Sequence, residues 1–481
     1  MTRPVVLGID SSTQSTKVLA VDLETGDIIA EGRAPHSGAD TQHPDDWWNA
    51  LQQATREVVS DDLDVQGLSV SGQQHGCVLL DDNGEPVRPA PLWNNNDAAG
   101  DAERLNAEAD FVQEVGVLLV SSITIAKLAQ INRTDPGSID RATQVGLPHD
   151  FLNLKLTGTL TSDRGDSSGT GWWSPATGMF RRDLLELAVG MQKATTIGLP
   201  EMCGPEEAAG MLSIEAANAL GLPAGIPVGP GSGDNMAAAL GVGAASGEYV
   251  ISLGTSGTAF AITDQQTHDR SGTICGFADA TGRFMPLVCL INCTRSVDAV
   301  IELFGLDRRA ALDAAARAPL GANGLLMEPY FGGERTPILP DATGALHGMT
   351  LDNLKPDLMM RAALEGVAAG LAYGTDHLAE SGIPATSIAL VGGGSTHPAW
   401  QQAIADATGL PVHVRGGREH AGRGAALQAA AIVRQESLSE LVARWRPEIL
   451  ATIEPRPGSR EAFRLDERRE LIEQRQGQSR P

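Results

Sequence analysis

The sequence has 481 residues, 42% of them hydrophobic, and a formal net charge of -24 at pH 7. Its length predicts two domains, and its charge argues against nucleic acid and anionic membranes as partners. It contains neither an apolar run long enough to cross a bilayer nor a signal peptide, and its five scattered cysteines indicate reduced thiols in a cytoplasmic protein.

The chain opens with three short apolar segments, at residues 4–10, 18–21 and 28–30, which predict an antiparallel meander of strands. The turn between the first two is rich in hydroxyl groups and contains Lys17, so it can hold phosphate oxygens. Asp10 ends the first strand, where its carboxylate can reach Mg²⁺ through water. An ordinary polar hairpin is the alternative that this pattern leaves open, and the spacing is not that of a Walker A loop.

A predicted strand at residues 67–72 is followed by the tetrad Gln73, Gln74, His75 and Gly76. The tetrad places hydrogen-bonding groups at a strand end, where open α/β sheets bind ligands. A lone histidine is usually structural. One framed by glutamines and glycine favours contact with a polar ligand.

Asp234 lies among glycines, just before a run of alanines in residues 231–241. Glycine allows close approach of another group, and the alanines predict a tightly packed helix. Aspartate is also a favoured helix N-cap, and by itself this stretch favours the cap over a catalytic role. With an ordinary pKa of about 3.9, Asp234 is expected to be ionised at neutral pH.

Residues 248–262 repeat the opening of the chain, with a strand, a hydroxyl-rich turn and a second strand. Two similar α/β units, each with one phosphate-sized turn, predict two domains that face a shared cleft. We place these domains at residues 1–242 and 243–481.

Two further segments complete the pattern. A strand at residues 388–391 opens into three glycines and then a helix, which exposes backbone N–H groups in a turn of nucleotide size. The turn lacks a Gly-x-Gly-x-x-Gly fingerprint, which excludes a dinucleotide site. Residues 421–434 predict a small-residue helix that packs closely against a neighbour.

Together these motifs resemble the FGGY family of carbohydrate kinases, in the superfamily that includes actin and hexokinase. The resemblance runs from about residue 6 to residue 434, with every motif in the family's order. It implies an α/β fold of two ribonuclease-H-like ATPase domains that face a central cleft. The matching segments are residues 8–10 and 253–257 for phosphate, 392–394 for adenosine, 233–235 for catalysis, and 334–337 and 364–366 as further motifs.

The resemblance also implies the site residues, with ATP and Mg²⁺ as cofactors. The implied catalytic residues are Asp234, as general base, and Asp10, which also serves Mg²⁺ through water. The implied sugar contacts are Gln74, His75, Asp234 and Asn235, and the implied ATP contacts are Thr13, Lys17, Gly254, Thr255, Ser256, Gly393, Gly394 and His397.

Within the family, residues 73–76, 147–150 and 166–170 resemble the members that act on D-xylulose. This implies ATP-dependent phosphorylation of the terminal hydroxyl to give D-xylulose 5-phosphate. Three positions depart from the common pattern: Asn95, Gln130 and His397 stand where Asp, Trp and Asn are usual. The first bears on sugar preference and the last on nucleotide contacts.

Three alternatives stay open. A kinase of another pentulose or polyol would share every nucleotide motif. An actin-like ATPase that acts as a chaperone or filament would not need Gln74 and His75. A sugar sensor that has lost catalysis is disfavoured by the intact Asp10, Thr255 and Asp234. The oligomeric state is also open, with a homodimer as one expectation.

Overall fold

The computed structural model describes residues 2–478, which form two seven-stranded sheets with helices packed against them. The strands of the first half are β1 (Arg3–Ser11), β2 (Ser15–Asp22), β3 (Ile28–Pro35), β4 (Thr41–Gln42), β5 (Leu63–Gly72), β6 (Val78–Leu80), β7 (Ala90–Pro91), β8 (Gln144–Gly146), β9 (Thr161–Asp163), β10 (Trp173–Ser174), β11 (Met179–Phe180), β12 (Glu201–Cys203), β13 (Gly210–Met211), β14 (Pro227–Val228) and β15 (Ser232–Gly233). Those of the second half are β16 (Glu248–Leu253), β17 (Gly257–Phe260), β18 (Cys275–Ala278), β19 (Phe284–Leu290), β20 (Leu326–Glu328), β21 (Ala345–His347), β22 (Ser387–Val391), β23 (Val412–Arg415) and β24 (Ile449–Ile453).

The helices are distributed along the whole chain. The first group is α1 (Pro44–Val58), α2 (Ala99–Glu108), α3 (Phe111–Val115), α4 (Thr124–Thr134), α5 (Pro136–Arg141), α6 (Pro148–Thr157), α7 (Arg164–Ser167), α8 (Arg182–Val189), α9 (Met191–Thr196), α10 (Ile214–Leu220) and α11 (Asp234–Val242). The second group is α12 (Thr294–Leu303), α13 (Arg308–Arg317), α14 (Pro356–Glu380), α15 (Pro398–Thr408), α16 (His420–Arg434), α17 (Leu438–Arg444), α18 (Ser459–Ala462) and α19 (Leu465–Gln478), with 3₁₀ turns at Leu320–Gly324 and Gly393–Thr396.

The first sheet contains the predicted meander. Its strand order is β13-β14-β5-β1-β2-β3, and β15 also pairs with β5. Strands β1, β2 and β3 are antiparallel neighbours, which confirms the meander, while β5 runs parallel to β1. The consecutive residues Val5, Val6 and Leu7 are all buried, because this sheet is covered on both faces. A strand that is buried on both faces is apolar at successive positions and does not alternate with polar residues.

The second sheet repeats this plan, in the order β18-β19-β17-β16-β22-β23-β24. Strands β16 and β17 form an antiparallel hairpin, and β22 lies parallel beside β16. The relation of β16, β17 and β22 is therefore that of β1, β2 and β5, which confirms the repeat inferred from the sequence. The two-domain α/β fold is also confirmed.

Helix α16 returns from the second half of the chain to the first sheet. It packs against β1, β5 and α11, and its buried alanines join the same hydrophobic core as Val6 and Leu19. A Cβ atom on Gly424 would lie 1.9 Å from the carbonyl oxygen of Ala237, so only glycine fits this crossing of α16 and α11. The prediction of a closely packed small-residue helix is confirmed.

Two segments of the first half are divided into short elements. Residues 102–127 belong to α2, α3 and α4, and α3 ends at Gly116, whose φ is 83°. Residues 161–170 contain β9 and α7. Cys77, Cys203, Cys275, Cys289 and Cys293 are all free. No helix within residues 2–478 is long and apolar enough to span a membrane.

Candidate active site

The ends of β1, β5 and β15 meet at one edge of the first sheet. Asp10 is in register with Ser71 on the neighbouring β5, and Gly233 is in register with Gly72. Since these strands run parallel, the residues that follow them emerge at the same edge. Asp10, Gln74 and Asp234 are therefore brought together from three separate parts of the sequence.

Asp234 is the first residue of α11 and does not cap it. The N-cap is Gly233, and no side chain bonds to the first turn at that position. The helix-cap interpretation is therefore wrong. The Asp234 side chain is partly exposed, and its Oδ1 accepts a hydrogen bond of 2.9 Å from Nδ2 of Asn235.

Asn235 joins the two halves of the molecule beside Asp234. Its Nδ2 donates to Oε1 of Gln74 at 2.8 Å, and its Oδ1 accepts from Oγ1 of Thr258 at 3.1 Å. Thr258 lies on β17, in the hairpin that repeats the β1–β2 hairpin. Asp234 thus lies between Gln74 of the first half and the β16–β17 hairpin of the second half.

The carboxylates at this edge repel one another and are poorly hydrated. Burial, with the nearby charges of Asp10 and Asp166, raises the pKa of Asp234 to about 7. Burial also raises the pKa of Asp10 to about 6, opposed by Lys17 and assisted by Glu419. The expectation that Asp234 has an ordinary pKa is therefore wrong. Its pKa is close to neutral pH, which suits a general base.

His75 is held in an unusual conformation against the second half of the chain. Its φ is 66°, and its ring packs on Phe277 with centroids 5.4 Å apart. A Cβ atom on Gly169 would lie 2.1 Å from the ring, so glycine is required there. Burial, Lys127 and Arg335 lower the pKa of His75 well below its usual value, so the imidazole is neutral and can hydrogen-bond a hydroxyl.

Several buried polar atoms at this edge have no hydrogen-bond partner within the described part of the chain. They are Asp10 Oδ1, Ser71 Oγ, Gln73 Oε1, Gln74 Nε2, His75 Nδ1 and Ser232 Oγ. Buried polar groups in proteins are normally satisfied. Their concentration at one strand edge leaves hydrogen-bonding groups there that a polar ligand can use.

A further group of buried charged side chains surrounds His149. Nδ1 of His149 lies 2.9 Å from Oδ2 of Asp166, and its Nε2 lies 3.2 Å from Oδ1 of Asp150. Burial opposes the charged imidazole, but Asp150, Asp166 and Asp163 raise the pKa of His149 to about 9. The backbone N–H of His75 contacts Asp166. The sequence did not predict Asp166 or His149 as site residues, although both lie in segments that resemble the family, at residues 147–150 and 166–170.

The hairpin between β1 and β2 holds Thr13 and Lys17 by contacts that the sequence did not predict. Oγ1 of Thr13 accepts a hydrogen bond of 2.9 Å from Nε1 of Trp93. Lys17 forms an ion pair with Glu419, which precedes α16. The turn is thus fixed by Trp93 on one side and by the returning helix on the other.

The two turns of the second sheet share one edge. Ser252 on β16 is in register with Val391 on β22, so Gly254, Thr255 and Ser256 follow one strand while Gly393 and Gly394 follow its neighbour. Thr255 and Gly393 are exposed, which leaves the surface between these turns open. The structure therefore brings together the predicted second phosphate and adenosine segments.

The three positions that depart from the common family pattern are His397, Asn95 and Gln130. His397 caps α15, where its Nδ1 accepts from the backbone N–H of Ala399 at 3.1 Å. Asn95 is buried, and its Nδ2 donates to Oδ2 of Asp97 at 3.3 Å and of Asp40 at 3.4 Å. Gln130 lies partly exposed on α4. An aspartate in place of Asn95 would face two other carboxylates.

Comparison with known families agrees with this geometry. The model of the N-terminal domain of the FGGY family of carbohydrate kinases matches residues 5–241, and the model of its C-terminal domain matches residues 249–432. The two matches lie on either side of the loop between α11 and β16.

Curated relatives and solved structures also match over nearly the whole chain. A protein of Streptomyces rubiginosus described as xylulose kinase is 40% identical, over 92% of this chain and 91% of its own length. One of Escherichia coli with the same description is 33% identical, over 91% and 92%. The crystal structure of xylulose kinase from Bifidobacterium adolescentis has a TM-score of 0.85 at 35% identity, covering 97% of this chain and 99% of that one.

Proposed function

This chain belongs to the FGGY family of carbohydrate kinases, and from that premise we propose that it phosphorylates D-xylulose at its terminal hydroxyl. ATP is the phosphoryl donor and D-xylulose 5-phosphate the product. The substrate follows from the relatives described as xylulose kinases. A kinase of another pentulose or polyol is the second candidate, because the buried partnerless atoms suit any small polyol.

The observation that carries the proposal is the position of Asp234. It is linked through Asn235 to Gln74 of the first sheet and to Thr258 of the second, and it is close enough to Asp10 for that charge to raise its pKa. A sugar held by the unsatisfied groups of the first sheet would meet a phosphate held by the two hairpin turns at this point.

In the proposed reaction, Asp234 orients the attacking hydroxyl and accepts its proton. A bond forms between the sugar oxygen and the γ-phosphorus, while the bond from that phosphorus to the β–γ bridging oxygen breaks and ADP leaves. Phosphoryl transfer depends mainly on positioning and charge stabilisation. A carboxylate with a pKa of about 7 is ionised often enough at neutral pH to serve as the base.

Asp10 is the residue that we propose for Mg²⁺. Its Oδ1 is buried and without a partner, beside the hydroxyl-rich turn, and carboxylate oxygens suit this ion. No cluster of three or more His, Cys, Asp or Glu side chains within residues 2–478 could enclose a metal ion. Mg²⁺ typically keeps several waters and binds one or two carboxylates together with substrate phosphates, where it neutralises phosphate charge.

For the remaining residues, we propose that Gln74, His75 and Asn235 contact the sugar. Those proposed for ATP are Thr13, Lys17, Gly254, Thr255, Ser256, Gly393, Gly394 and His397. We also propose that the protein has two domains, at residues 1–242 and 243–481, and that α16 of the second packs on the first. We propose that the enzyme is cytoplasmic. The gap between the two family matches supports this division.

The proposed substrate is tested by coupled ADP release across pentuloses, hexuloses and glycerol. We expect the highest kcat/KM for D-xylulose, since the named relatives act on xylulose. A higher kcat/KM for another sugar would show that this sugar, and not D-xylulose, is the substrate. ATP turnover at the same rate without any sugar would instead favour the ATPase alternative.

Replacing His75 should mainly damage sugar use. We expect His75→Asn to raise the KM for D-xylulose about tenfold or more, because a lost buried hydrogen bond costs roughly 1–3 kcal/mol. Asparagine tolerates a positive φ better than most residues, so the backbone should be kept. The KM for ATP is the internal control. An unchanged sugar KM would remove His75 from the pocket.

The pH profile should report the ionisation of Asp234. Because its pKa is raised to about 7, the base is protonated below that pH, and kcat/KM for the sugar should fall as the pH is lowered. Asp166 contributes to this raised pKa, so Asp166→Asn should move the acid limb to lower pH. Steady-state kinetics from pH 5 to 9 measure both. A limb that stays near pH 7 in the variant would contradict the coupling.

A further inference from the structure

Two cationic side chains meet near His75, one from each half of the chain. Nη1 of Arg335 donates to Oγ of Ser122 at 2.8 Å, and its Nη2 donates to Sγ of Cys275 at 2.9 Å. Nζ of Lys127, on α4, donates to the carbonyl oxygen of the same Ser122. Ser122 therefore lies between both cations, and we call Arg335 and Lys127 the cation pair.

The cation pair has no counter-charge within residues 2–478, since neither side chain forms an ion pair there. Glu334, the nearest acidic residue in sequence, is occupied elsewhere. Its carboxylate accepts from the backbone N–H groups of Ile291 at 2.7 Å and Arg335 at 2.8 Å, and from the side chain of Asn292.

Such an arrangement is unusual in a chain whose formal net charge is -24. Buried charges are normally paired, because removing them from water is costly. Burial and the neighbouring Arg335 lower the pKa of Lys127 to about 7, which reflects the same imbalance. A ligand oxygen with negative charge would relieve it.

The cation pair belongs to the sugar end of the proposed active site. Both cations contribute to the lowered pKa of His75. Cys275, which binds Arg335, is two residues from the Phe277 ring that packs on His75. Arg335 itself is only partly buried, so a ligand can reach it.

We propose that Arg335 binds a carbonyl-type oxygen of the acceptor, at the end opposite the hydroxyl that Asp234 activates, and that the buried Lys127 adds its positive charge from the other side of Ser122. The inference rests on the proposed function of this cleft and specifies its ligand class. A ketone oxygen carries partial negative charge and a carboxylate a full one, whereas an alditol offers only hydroxyl groups. Sugar acids with a terminal carboxylate are therefore ligands of this enzyme and compete with the ketose.

Three five-carbon compounds with matching stereochemistry at the shared hydroxyl carbons test the proposal: D-xylonate, D-xylulose and xylitol. Calorimetry with the wild-type protein should give the tightest binding for D-xylonate, then D-xylulose, then xylitol. Hydrogen bonds to charged groups contribute more than neutral ones, so neighbouring members should differ by about tenfold. If D-xylonate binds to the wild-type protein no more tightly than xylitol does, that measurement alone overturns the proposal.

Arg335→Met and Lys127→Met should weaken xylonate binding by about tenfold to a hundredfold, as expected for loss of a charge-assisted contact. Xylitol binding should change little, so that the preference disappears. Arg335→Lys should restore part of it. The matched control is Arg270→Met, because Arg270 also spans the two halves but is ion-paired with Asp110 at 2.7 Å, and it should behave as wild type.

The outcomes separate this inference from the proposed kinase activity. If the wild type phosphorylates D-xylulose but both Met variants keep the full xylonate preference, the cation pair is not the subsite. If xylonate binding depends on Arg335 while no sugar is phosphorylated, the proposed function fails and the anion subsite stands.

Discussion

Asp234→Asn should abolish sugar phosphorylation while leaving both substrates bound. General base catalysis typically contributes roughly 10²–10⁴-fold, so kcat should fall by at least that factor. The amide keeps the size of the side chain and can still hydrogen-bond Asn235, but it cannot accept the hydroxyl proton. Calorimetric D-xylulose binding and single-turnover kinetics on one preparation measure the two effects separately.

The melting temperature makes this test decisive. Asp234 is a poorly hydrated carboxylate beside two others, and burial raises its pKa, so neutralising it should not destabilise the protein. Asp357 provides the matched control, because it lies in the first turn of α14 as Asp234 does in α11. Asp357→Asn should keep full turnover. Retained turnover in Asp234→Asn, with a lowered melting temperature, would show a structural role instead.

Asp10→Asn should reduce magnesium-dependent turnover by about a hundredfold or more, the usual cost of losing a group that stabilises transition-state charge. The substitution removes the negative charge of the side chain whose Oδ1 has no partner, while its size and so the packing of β1 are kept. Titration of turnover with Mg²⁺ at fixed ATP should also show weaker apparent magnesium affinity. Circular dichroism checks that the fold is intact.

Asp27→Asn is the control for that experiment. Asp27 lies in the exposed turn between β2 and β3 of the same meander. This turn is at the opposite end of β2 from the turn that joins β1 to β2. Its replacement should leave the magnesium titration unchanged. Near wild-type activity of Asp10→Asn at low magnesium would remove Asp10 from the metal site.

Much of the local architecture could be predicted from local signals. The apolar runs of β1, β2 and β3 and the turn residues between them specify the meander, and the same pattern recurs in β16 and β17. Strand ends followed by polar tetrads or glycines predicted where the site residues would emerge. These features depend on neighbours in sequence, which is why pattern alone was sufficient.

The remaining features depend on residues far apart in the chain. Helix α16 returns to the first sheet because its glycines allow close contact with α11 and β1, and no local pattern specifies that partner. The pKa of Asp234 reflects the burial and the nearby Asp10 and Asp166, which only the fold brings together. The pairing of Lys17 with Glu419 has the same origin.

Phosphorus NMR of the wild-type protein with Mg-ATP and D-xylulose tests the central claim most directly. The account predicts a new phosphomonoester signal, split by the two protons of a terminal CH₂ group, that grows in equal amount with ADP. Without sugar, or with Asp234→Asn, that signal should be absent. Release of inorganic phosphate in place of the sugar phosphate would contradict the assignment of this cleft to sugar phosphorylation.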